Sequence, residues 1–89
     1  MSIKIKKNLY INTLDYFYKL IKSNDELIDM NNQFAAFHDY MYDYNNGCPC
    51  DSDSYLNLAT KEFDSISNSD ECISILKYHF KCDDVIFSK

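Results

Sequence analysis

Four residues of the chain have the chemistry of metal ligands and a spacing that can bring them together: Cys48, Cys50, His79 and Cys82. Thiolate sulfur and imidazole nitrogen are the usual partners of zinc, and three cysteines with one histidine make a closed tetrahedral set. His79 and Cys82 stand three apart, so on a helix their side chains rise from neighbouring rungs of one face. Cys48 and Cys50 flank Pro49 directly after Gly47, and these are the only proline and the only glycine in 89 residues. Zinc held by Cys48, Cys50, His79 and Cys82 is therefore the expected cofactor, tying a sharp bend to a helix end. Cys-x-Cys lacks the two-residue gap of zinc-finger pairs. Free or core thiols, and a disulfide from the bend to Cys82, therefore stay open beside zinc. Cys72 precedes Cys82 by about 15 Å of helix and cannot share an ion with it; it reads as a small buried apolar residue.

The remaining chemistry-bearing residues have plainer readings. His38 flanks an apolar seam beside Phe37 and Met41, the usual setting of a hydrogen-bonded boundary histidine. Asp51, Asp53 and Glu62 imitate three positions of a calcium loop, but Leu56 stands where that loop needs glycine, and helix capping accounts for the acids. Asp39 and Asp43 lie four apart without a nucleophile or third group, so a solvated helix face is the reading. A chain with one glycine has no glycine-rich phosphate loop. No catalytic constellation emerges, and an enzyme is not expected.

Charge is distributed unevenly. Residues 1–22 carry five lysines against one aspartate, a net of +4, while residues 23–89 carry four lysines against thirteen acids, a net of −9. There is no arginine. Phosphate recognition favours bidentate guanidinium groups or a broad basic face, so direct nucleic-acid binding is disfavoured outside the short basic start of the chain. Met1-Ser2-Ile3-Lys4-Ile5-Lys6 lacks the apolar core of a secretory leader, and no run reaches the roughly 18 apolar residues of a membrane span. A cytoplasmic setting, or a particle assembled inside a cell, is expected, with reduced cysteines.

The elements that must position these residues are helical. Residues 1–8 alternate isoleucine with lysine, the pattern of a short strand or an extended arm, and with no partner strand evident the extended basic arm is the reading. Tyr10, Leu14, Phe17 and Ile21 then recur at steps of four, three and four, which predicts a first helix to about Lys22. Ser23 with Glu26 has the form of a capping box. Leu27, Met30, Phe34, Phe37, Met41 and Tyr44 predict one long second helix with all six facing inward. It is expected to stop at Asn45-Asn46-Gly47, with Gly47 as a left-handed cap. Asp51 or Ser52 caps a third helix carrying Leu56, Ala59, Phe63 and Ile66. Asn68 with Glu71 starts a fourth, with Ile73, Leu76 and Phe80 inward, ending near Cys82. Residues 83–89 form an apolar tail that folds back or docks elsewhere.

Short links between helices predict an all-α antiparallel bundle of about four helices in one domain, with a Gly-Cys-Pro-Cys corner between the second and third. Tyr16, Tyr18, Tyr40, Tyr42 and Tyr44 are more tyrosine than so small a bundle buries, and tyrosine suits interfaces. The expected function is a structural or adaptor protein working through protein contacts, such as a component of a virion or other large assembly. Two alternatives stand beside it. One is an acidic inhibitor filling the basic groove of a nucleic-acid-processing enzyme, using Asp39, Asp43, Asp51, Asp53, Asp83 and Asp84. The other is a thiol redox or metal-transfer protein using Cys48-Pro49-Cys50.

Overall fold

A computed structural model describes residues 2–6, 11–47 and 52–88. Among them the chain forms five helices and two short strands: β1 (Ser2–Lys6), α1 (Ile11–Ser23), α2 (Glu26–Met30), α3 (Asn32–Asn46), α4 (Ser52–Ser67), α5 (Asp70–Phe80) and β2 (Asp84–Ser88). The fold is mostly helical, as the periodicity predicts, with a two-stranded parallel sheet added. The Gly-Cys-Pro-Cys corner lies outside the described residues beyond Gly47.

The apolar steps found the core. Leu14, Phe17 and Ile21 of α1, Phe34, Phe37 and Met41 of α3, and Ala59, Phe63 and Ile66 of α4 are all fully withdrawn from solvent. Phe17 is the hub. Its ring lies 5.3 Å from those of both Phe37 and Phe63 and 6.5 Å from Phe34, mostly edge to face, the arrangement the ring quadrupole prefers. Helices α3 and α4 share the most extensive helix–helix contact in the molecule, and α1 lies across both. The expected return of the last helix along its predecessor is not the main contact of α5, which meets α2 and β2 as much as α4.

The predicted long second helix is two helices. Asn31 adopts an extended backbone (φ −157°, ψ 134°), and its side-chain oxygen accepts the amide of Gln33 at 2.7 Å. That cap starts α3 anew, because asparagine satisfies an orphan amide better than it continues a helix. The phase of the seam is reset there. Leu27 stays inside, whereas Met30, counted as core, is 43% exposed.

Two other caps differ from the sequence expectation. Ser23 closes α1 instead of capping α2, and the junction turns through Asn24, whose side-chain amide donates to the Leu20 carbonyl. At α5 the cap is Ser69, accepting from the Cys72 amide, while Asn68 donates back to Asp64 of the preceding helix.

The stretch expected as a free arm pairs with the tail. β1 and β2 run parallel with Ile3 opposite Val85 and Ile5 opposite Phe87. Alternation turns these four toward the helices, and Ile5 is only 1% exposed. Phe87 reaches the hub, its ring centre 6.2 Å from Phe17 and 5.9 Å from Phe63. The two ends of the sequence are thereby fastened to the core.

Candidate functional site

Of the four expected zinc ligands, Cys48 and Cys50 lie outside the described residues. His79, near the end of α5, reaches the α1–α2 turn: its Nε2 is 3.2 Å from Asn24 Oδ1. Because the Asn24 amide nitrogen already donates to Leu20, the oxygen must face the ring, so Nε2 carries the proton and donates. The other ring nitrogen, Nδ1, faces Glu26 at 3.9 Å, an ion pair only when the ring is doubly protonated. A neutral His79 in this arrangement would offer a metal Nδ1. Cys82 is a buried free thiol just past α5. Among the described residues, no three His, Cys, Asp or Glu side chains are grouped to hold a metal.

Cys72 is buried one turn before Leu76, as expected, and its thiol donates to Gln33 Oε1 at 3.0 Å. Burial pushes this thiol above its ordinary value; nearby Glu71 and Glu62 add to the rise, and a hydrogen bond with Ser69 offsets part of it. A thiol so placed is a poor nucleophile. His38 sits at the edge of the core as read, its ring stacked on Tyr42 with centres 6.4 Å apart and near the buried Tyr18. Burial first, then Tyr42 and Asp15, raise the Tyr18 phenol. Residues 52–67 are one uninterrupted helix, which leaves no calcium-type loop at Asp53. Asp51 lies outside the described residues.

The feature that stands out is a face the sequence reading passed over. Between α2 and α5 run three adjoining depressions, each bordered by Met30. The central one, about 380 Å³, is lined by Met30, Glu71, Ser74, Ile75 and Tyr78 and is largely apolar. Toward the α5 C-terminus it continues past Glu26, Lys77, His79 and Lys81, and toward the N-terminus past Asp29 and Gln33. Tyr78 is 80% exposed, the most exposed large apolar side chain among those described.

The geometry of α5 accounts for the ring's exposure. Leu76 faces the core, and a residue two positions on is rotated by roughly 200°, so Tyr78 must point away. That rotation was available in the sequence once Leu76 was assigned inward. Met30 was hidden from such reasoning by the break at Asn31. Of the tyrosines singled out from composition, Tyr16 and Tyr42 are exposed, Tyr40 and Tyr44 half-buried and Tyr18 buried.

Charge along α5 is sorted, while Glu26 of α2 stands beside the lysines at its far end. Asp70 and Glu71 occupy the first turn of α5 and Lys77 its last, with Lys81 just beyond. The arrangement complements the helix dipole, and it also gives the α5 wall of the notch an acidic end and a basic end. No helix among the described residues is long and apolar enough to cross a membrane. Compared with family models, curated proteins and solved structures, the chain matches none significantly.

Proposed function

We propose that this chain is a protein-binding module, a structural or adaptor component of a larger assembly, that docks through the α2–α5 face. The observation that carries the reading is Tyr78, 80% exposed beside Met30 over an apolar notch. A tyrosine ring brings large contact area at little entropic cost, and aromatic and methionine side chains are enriched at the buried centres of protein interfaces. The flanking charges of Glu71 and Lys81 would orient a partner without occupying the centre.

Photo-crosslinking tests this. A photoreactive phenylalanine analogue is placed at Tyr78 and, as a control, at the exposed Asn57 of α4, in the chain expressed in cells. Adducts of discrete mass are expected from position 78 and absent from 57. Equal yields at the two positions, or none at 78, would remove the docking role from this face.

A further inference from the structure

We infer that the α2–α5 face binds a second copy of this chain, α5 against α5 in antiparallel orientation about a two-fold axis at the level of Leu76. This rests on the reading of the face as a docking surface and names its occupant.

The argument is one of self-complementarity. A two-fold axis maps each surface patch onto itself, so a patch suited to this symmetry must carry both members of every contact at equal distances from the axis. Glu71 and Lys81 lie five residues to either side of position 76, each about 7.5 Å along the helix direction. Antiparallel pairing therefore sets Glu71 of one copy against Lys81 of the other, twice. Ser74 and Tyr78 lie two residues to either side and exchange in the same way. The small serine leaves open the notch that Met30 and Ile75 border, and the Tyr78 ring, solvated in the single chain, is the group available to fill the partner's notch. The same ring is thus both wall and plug. A parallel pairing would place acid against acid and base against base.

The test uses charge reversal and mixing, read by sedimentation equilibrium of the purified chain from micromolar concentration to about 1 mM. The parent chain is expected to be a dimer that dissociates on dilution. Glu71→Lys alone sets lysine against lysine at both contacts, and Lys81→Glu alone sets glutamate against glutamate. Each should weaken the dimer roughly tenfold or more, because two exposed pairs become two repulsions. Mixing the two variants sets lysine against glutamate at both contacts of the mixed dimer, so an equimolar mixture should recover the association that each variant alone has lost. A mixture that stays monomeric would overturn the pairing. The double variant Glu71→Lys with Lys81→Glu makes both contacts attractive again and should recover near-parental affinity. Ser74→Phe fills the notch from within and should abolish association while leaving the circular dichroism of the chain unchanged.

A parent that stays monomeric throughout, single reversals that associate as tightly as the parent, or a double variant that fails to recover would each overturn the pairing. Adducts from position 78 that contain a different protein, with a monomeric parent, would overturn it too, while leaving the docking role of the face intact. Adducts of twice the chain's mass support both.

Discussion

The two long sides of α3 and α5 differ in what their aromatic residues do. On α3, Phe34 and Phe37 turn into a cluster with Phe17, Phe63 and Phe87, and every ring but Phe87 is fully withdrawn from water. On α5 the most prominent ring is turned outward, and Met30 stands exposed beside it. Both regions are apolar. The first has satisfied its surface within the chain, whereas the second still presents apolar area to solvent and has the charges of α5 sorted along it. A short chain buries about 60–65% of the surface it exposes when unfolded, so not every apolar face can be covered from within. The comparison teaches where the fold is secured and where association is left open.

The largest way to break the contrast is Phe17→Ala. Truncating a fully buried phenylalanine at the hub removes its contacts and leaves a cavity, costing about 3–5 kcal/mol. A domain of this size has a total stability on the order of 4–13 kcal/mol. Urea unfolding followed by circular dichroism should show most of the stability gone. Tyr78→Ala, measured where the chain is monomeric, should stay within about 0.5 kcal/mol of the parent. Similar losses from both would mean that the outward ring belongs to the core after all.

The contrast also explains what could be read from residue order. Steps of three and four marked the buried sides of α1, α3 and α4, because side chains on one helical face must meet a common surface. Phe17, Phe37 and Phe63 were legible for that reason. What was hidden depended on competition between near-equal local choices or on distant pairing. Asn31 can continue a helix or cap a new one, and only the packing around Leu27 and Phe34 decides. β1 finds its partner at the opposite end of the sequence, where no local pattern records it. Of the expected metal set, the described half is His79, engaged with the α1–α2 turn, and Cys82, buried in the core. The acid-to-base ordering of α5 was visible in the sequence, but it gained meaning only once Tyr78 and Met30 were seen to share a face.

A second, smaller test falls on the junction between the two regions, where the Cys72 thiol of α5 donates to Gln33 of α3. Burial raises its pKa above the ordinary value, so the folded chain keeps a proton that the unfolded chain gives up. The stability this contributes is fully present below the unfolded thiol's pKa, about 8.5, and is lost as pH rises through the folded, higher value. The urea midpoint should therefore decline with pH above that point, and Cys72→Ala should remove part of the decline. Alkylation of native Cys72, followed by peptide mass spectrometry, should be slower than that of a free thiol. A midpoint whose pH dependence is unaltered by the substitution would detach this thiol from the junction.

The smallest expected effect comes from the helix ends, where the two regions reverse the usual roles of residues. α3 ends at Gly47 with φ −86° and ψ −177°, an extended backbone in place of the left-handed cap expected from the sequence. A side chain there would collide with the Asp43 carbonyl oxygen, which accepts the Gly47 amide at 2.6 Å, so glycine is needed for close approach. α5 ends at Lys81, which is left-handed at φ 53° and ψ 42°, with its amide directed to the carbonyls of Lys77 and Tyr78. A lysine in that conformation costs about 1–2 kcal/mol through its Cβ. Glycine would relieve this cost, but it also gives the unfolded chain more freedom to lose, about 0.4–1 kcal/mol. Lys81→Gly should therefore stabilise the monomer by about 0.5 kcal/mol. The same change removes the charge set against Glu71, so it should weaken self-association. Stability and association moving in opposite directions in one variant is the outcome that separates the duties of this helix end, and a variant improved in both would show that Lys81 serves neither.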